Sequence, residues 1–179
     1  SDTQHRARGS AHRIGFVGHN FDTKGGPALL EAYEQLRADH PAVSLVVATS
    51  KDVPARYRAR GDVDWIQNPT RDEVVTTIIP TLATLVLPTK GDCGAPYAVL
   101  ESLRAGVPVV ICDSGWLDED LSEPAVVRCT PDMVARAVAE ILADDLGERR
   151  LAARALWNDR YRLERLHDDL SALYRDRLR

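Results

Sequence analysis

The sequence predicts an α/β fold: a parallel sheet of about six strands, helices on both faces, and a helical tail at the C-terminus. Three observations predict it. Short apolar runs alternate with segments of helical periodicity along most of the chain. The apolar runs are continuous, as in residues 43–49 (VSLVVAT), which is the pattern of strands covered on both faces. Beyond residue 147, leucines recur at steps of three and four, which continues the chain as helix.

The elements follow in order. Residues 13–18 (RIGFVG) form the first strand, and residues 19–26 a loop. Residues 27–39 carry Leu29, Leu30, Tyr33 and Leu36 on one helical face, with Pro27 in the first turn, where its missing N–H costs nothing. Residues 43–49 are the second strand, residues 53–60 a short basic helix closed by Gly61, and residues 63–67 the third strand. Thr70 and Glu73 make a capping box that opens a helix through Ile79. Residues 82–87 are the fourth strand. Residues 92–110 (DCGAPYAVLESLRAGVPVV) read as loop, helix, stop and strand. Pro96 sits in the first helical turn, Val99, Leu100 and Leu103 give the apolar face, and Gly106 with Pro108 ends the helix. The fifth strand runs through Cys112, and residues 125–129 are a sixth. Thr130 and Pro131 open a helix with Val134, Val138, Ile141 and Leu142 on one face. In the tail, the stripe Leu163, Leu166, Leu170, Leu173 reads as core packing, and Trp157 and Tyr161 as candidates to face a missing domain. The chain divides into a linker or disordered leader (1–12), a Rossmann-like domain (13–146), and C-terminal helices (147–179) packed on that domain.

Composition narrows the function. An apolar share of 44% over 179 residues suffices for one sizeable core. A formal charge of −4 argues against non-specific nucleic-acid binding, which needs a basic face. Three widely spaced cysteines, Cys93, Cys112 and Cys129, form neither a disulfide framework nor a zinc site, which points to a reducing cytoplasm. No two histidines stand at metal-ligand spacing, and no apolar run reaches the length of a membrane span. Membrane association of a full-length protein has only the tail arginines behind it, and these are interleaved with acids.

Ligands of parallel sheets bind at the carboxyl ends of the strands. Two loops there carry candidate chemistry. Lys24, followed by Gly25 and a helix N-terminus, supplies a point charge and close backbone approach for an anion. Glu101 lies mid-helix at the edge of the apolar face, with no cation three or four residues before it. A carboxylate so placed needs a hydrogen-bond partner, and a ligand hydroxyl would serve. Each also has a plainer reading, a loop lysine in solvent and a solvated helix acid. The loop containing Asp92 reads equally as an acid-bearing turn.

The segment Val99-Leu100-Glu101-Ser102 with Gly106, Pro108, Val109 and Val110 resembles the nucleotide-sugar site of glycosyltransferases with the GT-B fold, especially the large retaining family 4. Their pattern runs Glu-Gly-Phe-Gly-x-x-x-Leu-Glu-Ala-x-x-x-Gly-x-Pro-Val-Val. The resemblance implies a donor-binding half whose substrate is a nucleoside diphosphate sugar. It implies that Glu101 accepts the ribose hydroxyls, that Lys24 and Gly25 hold the diphosphate, and that the amides of Tyr97 and Ala98 point at it. His19 stands where the family has an Arg, and Ala95-Pro96 where it has Phe-Gly. The family's first Glu falls on Cys93, with Asp92 one residue earlier as the candidate catalytic acid. Gln67 and Asn68 end the third strand, where the family's backbone meets the base. Gly115 and Glu119 resemble the family's Gly-Gly-x-Pro-Glu segment after the fifth strand, but a helix start with early acids accounts for them at least as well. No metal or other cofactor is expected. An N-terminal acceptor-binding domain, missing from this chain, is the expected partner, without which no turnover is expected. Two other readings stay open: a non-catalytic nucleotide-binding or scaffold domain, and a nucleotide-sugar epimerase-like enzyme. The lack of a Gly-x-Gly-x-x-Gly after the first strand argues against a dinucleotide dehydrogenase.

Overall fold

The computed structural model describes residues 12–89, 91, 94–112 and 117–177. Strands β1 (Arg13–Gly18), β2 (Ser44–Thr49), β3 (Val63–Gln67), β4 (Thr84–Leu87), β5 (Val109–Cys112) and β6 (Val126–Cys129) form one sheet in the order β3-β2-β1-β4-β5-β6. Every pairing is parallel, with Ile14 opposite both Leu45 and Thr84. The central strands are apolar over most of their length, so both faces must be covered. Val46, Val47, Leu85, Val86, Val109, Val110, Ile111 and Val126 are fully buried. The expected α/β class and six parallel strands are what the structure has.

Chain order decides which face each helix covers. From β1 the chain moves to β2 on one side, and from β4 to β5 on the other. Right-handed crossovers therefore set α1 (Gly26–Asp39) and α4 (Tyr97–Ala105) on opposite faces. α2 (Ala55–Arg58) is the short basic helix. The helical run after β3 begins as α3 (Arg71–Glu73), widens to a π turn (Val74–Ile78), and tightens to a 3₁₀ turn (Ile79–Thr81). α5 (Val134–Ala143) packs on α1, and α6 (Leu146–Leu156) on α4. A π turn (Trp157–Tyr161) leads to α7 (Leu163–Arg177).

The capping box forms as expected. Thr70 Oγ1 accepts the Glu73 amide at 3.2 Å, while Glu73 accepts the Thr70 amide at 2.7 Å. Gly106 ends α4 at φ 74, and the amides of Gly106 and Val107 donate back to Leu103 and Ser102. Pro96 is the residue before α4 rather than its first, extended at ψ 141, and its carbonyl accepts the Leu100 amide.

One tail expectation fails. Leu163, Leu170 and Leu173 are 75%, 44% and 53% exposed, so their stripe is not core packing. Leucine spacing marks an apolar face but does not say what covers it. Trp157 and Tyr161, by contrast, pack partly buried against this domain's own core, because the π turn folds them back toward α4. Arg149 fixes the corner beneath. It is 8% exposed, with Nε and Nη2 donating to Asp144 and Nη1 to the Pro124 carbonyl. Among the described residues, no helix is long and apolar enough to cross a membrane.

Candidate functional site

The strand order reverses between β1 and β4, and a cavity of about 530 Å³ opens there at the carboxyl ends of the strands. Its apolar lining comes from Val17 of β1, Ala48 of β2, Leu87 of β4 and Val74. Polar groups enter from the loops. His19 and Lys24 come from the loop after β1, Ser50 from the turn after β2, and Arg71 from the start of α3. Tyr97, Ala98 and Glu101 come from α4.

The β1–α1 loop is held by an aromatic anchor. Phe21 is buried, and its ring meets Phe16 edge-on at 5.6 Å and Trp65 at 5.4 Å. Gly25 then caps α1 in the left-handed conformation, φ 84. Its Cα lies so close to the next strand that an added Cβ would stand 2.1 Å from the Pro88 carbonyl oxygen. The loop bearing Lys24 is thus pressed against the end of β4. Lys24 is half-buried, and its amide donates to the Asn20 carbonyl at 3.1 Å. His19 is exposed and tied to β2, with Nδ1 sharing a hydrogen bond with Ser50 Oγ at 2.7 Å. Its carbonyl accepts the Lys51 amide at 2.9 Å.

On the facing wall, no side chain among the described residues caps the N-terminus of α4. The amides of its first turn have no intrahelical acceptor, and they carry the positive end of the helix dipole. Tyr97 is 80% exposed at this end. One turn along, the Glu101 side chain is 15% exposed and receives Arg71 Nε at 3.0 Å. The sequence shows no helical partner upstream of Glu101; the structure supplies one from thirty residues earlier.

The structure therefore brings His19, Lys24, Tyr97, Ala98 and Glu101 to one cavity, with Gly25 as the contact that seats the loop. Gln67 and Asn68 end β3 but do not line it; Pro69 and Arg71 do. Asn68 adopts φ 51 and donates its amide to Thr49, so its backbone turns the chain toward α3. Gln67 Nε2 is buried and without a hydrogen-bond partner among the described residues. Asp92, Cys93 and Gly115 lie outside the described residues. Arg71 is the residue that sequence reasoning missed. Its signal was a cation at the first position of a capped helix, where the dipole favours an acid.

Two further acids are engaged away from the cavity. Asp62 is paired with Arg37 and Arg60, and Asp64 with Arg13, at the amino end of β3, opposite the cavity. Among the described residues, no cluster of three or more His, Cys, Asp or Glu is placed to hold a metal ion. Chemically, the cavity offers cations and helix amides for an anion on one side, and a carboxylate acceptor for hydroxyls on the other.

Residues 11–144 match the family described as Glycosyl transferases group 1. No curated protein sequence matches the chain. Among solved structures, the chain is similar to the C-terminal domain of a glycosyl transferase group 1 family protein (LpcC) from Francisella tularensis. That likeness has a TM-score of 0.71 at 15% identity, over 85% of this chain and 87% of the other. It is also similar to Anabaena Alr3699/HepE, a structure in complex with UDP and glucose. There the TM-score is 0.71 at 14% identity, over 93% of this chain and 49% of the other. The pneumococcal O-GlcNAc transferase GtfA, in complex with UDP and GlcNAc, gives a TM-score of 0.70 at 11% identity, over 93% of this chain and 36% of the other. At such identities the likeness shows the fold alone, and the chain spans half or less of the last two proteins.

Proposed function

The chain belongs to the group 1 glycosyl transferases, and on that premise we propose that it is the donor-binding half of a GT-B enzyme that moves a sugar from a nucleoside diphosphate sugar to an acceptor with retention. The observation that carries this is the shared cavity. Lys24 and an uncapped helix N-terminus line one part of it, and the Glu101 carboxylate another. A nucleoside diphosphate presents the complementary pair, an anion next to vicinal hydroxyls.

The roles follow from the chemistry. Lys24, with His19 beside it and Gly25 seating the loop, neutralises the diphosphate; the Tyr97 and Ala98 amides donate to it. Charge builds on the diphosphate as the glycosidic bond breaks, so these donors stabilise the departing group most at the transition state. Departure assisted in this way is taken to need no metal. Glu101 accepts the ribose hydroxyls. The turn through Gln67 and Asn68 is the edge nearest the base, and Asp92 is the candidate to steady the reacting sugar. That UDP accompanies glucose or GlcNAc in two structures of this fold supports the reading. The acceptor falls to an N-terminal domain outside this chain, the boundaries 13–146 and 147–179 describe this half, and the setting is the cytoplasm.

One observation favours a second reading, a nucleotide-binding domain without catalysis. Pro96 places a residue with no N–H directly before α4, which removes one phosphate donor. Transfer from a radiolabelled donor by a full-length protein containing this domain separates the readings. Acceptor-dependent product with retained configuration supports the transferase. Product without acceptor indicates an epimerase-like enzyme, and binding without product the non-catalytic domain.

A further inference from the structure

We propose that Arg71 is the positioning residue for Glu101, holding its carboxylate in the orientation that accepts a ligand's vicinal hydroxyls; this rests on the donor-site reading above. The first observation is the bond itself. Arg71 Nε donates to Glu101 Oε1 at 3.0 Å, joining the start of α3 to the middle of α4 at the cavity that both residues line. The two ends differ in setting. The Glu101 side chain is 15% exposed, and the Arg71 side chain 79%. The guanidinium thus holds the carboxylate from the solvent side.

The second observation is independent of the bond. Arg71 occupies the first position of α3, next to the Thr70 cap, where the helix dipole disfavours a cation. Asp72 and Glu73, which follow it, are the residue types that the position favours. A cation is out of place in that turn by local rules, and the compensation in the structure is the Glu101 carboxylate. The capping box fixes the Arg71 backbone, so the arginine reaches from a rigid origin.

The chemistry matches the geometry. An ionised carboxylate has two oxygens with about four acceptor positions. Nε takes one, on Oε1, which leaves Oε2 to receive hydroxyls. Without Arg71, Glu101 is a long side chain free to turn toward solvent, and a ligand must then order it on binding.

The test is calorimetric titration of the chain with UDP, GDP and ADP, and with the 2′,3′-dideoxy form of each, using wild type, Arg71→Ala, Arg71→Lys and Glu101→Ala. The proposal expects Arg71→Ala to weaken the nucleotide that binds by about three- to fivefold, the upper range for an exposed ion pair. It expects Arg71→Lys to recover most of that loss. It also expects the loss to vanish with the dideoxy ligand, which gives Glu101 nothing to accept. An equal loss on both ligands makes Arg71 a long-range charge and overturns the proposal, as does no loss on either. If no nucleotide binds wild type, or Glu101→Ala binds as wild type does, the donor-site reading itself fails and takes this proposal with it.

Discussion

Replacing Gly25 by alanine isolates the contact that builds the cavity. The residue holds φ 84, and a Cβ there would lie 2.1 Å from the Pro88 carbonyl oxygen and 2.5 Å from its carbon. Two costs add. The left-handed conformation costs a non-glycine residue about 1–2 kcal/mol. Pushing a rigid backbone carbonyl aside is overpacking, which costs about 1–3 kcal/mol. The expected total is about 3 kcal/mol. Gly94 is the internal control, since it also has a positive φ, 61, but among the described residues an added Cβ meets nothing within 4 Å. Gly94→Ala should therefore cost about 1 kcal/mol, the conformational part alone. Urea unfolding of both variants, compared at equal slope, separates the two contributions. Gly25→Ala should also weaken nucleotide binding, because relief of the clash moves the Lys24 loop away from the end of β4. If the two variants lose the same stability within about 0.5 kcal/mol, the close approach of loop and strand is refuted.

Three further predictions concern the rest of the domain. Arg149→Ala should cost about 2 kcal/mol in urea unfolding; breaking a fully buried pair costs more, but Asp144 is half exposed and re-solvates, and a loss under about 0.5 kcal/mol would show the corner to be dispensable. Asp62 titrates below the ordinary carboxylate range, chiefly through its hydrogen bond from Arg60. Its contribution is therefore present above about pH 4 and lost as pH falls through the folded-state value. Asp62→Asn should cost about 0.5–1 kcal/mol at pH 6, given solvent screening, and less at pH 2.5; a difference that grows toward acid reverses the sign and refutes the pairing. The Cys129 thiol is lowered, first by its hydrogen bond with Cys112 on the neighbouring strand, against burial and the Asp132 charge. Cys112→Ala should slow alkylation of Cys129 at pH 8, read by site-resolved mass spectrometry, and an unchanged rate would contradict that cause.

The fold was legible because its signals are local. Continuous apolar runs, the Thr70–Glu73 box and the Gly106 stop each act over a few residues, and each appears in the structure where the sequence puts it. The strand order was not legible, because it depends on pairings between distant segments. The same division holds at the cavity. Lys24-Gly25 and Glu101 stood out by type and spacing. Arg71 did not, since its partner lies thirty residues away and only the fold brings them together. Nor did the close approach of Gly25 to Pro88, which joins loops separated by three strands of sequence. The α7 leucines show the limit from the other side: periodicity found the apolar face, but burial depends on what lies opposite.

Calorimetric titration of the chain with UDP, GDP and ADP, repeated with Glu101→Ala and Lys24→Ala, reads out the donor site itself. One nucleotide should bind, and both substitutions should weaken it, Lys24→Ala through the diphosphate and Glu101→Ala through the ribose. A folded chain that binds none of the three, or binds one equally well with both residues replaced, would contradict a donor site in this cavity.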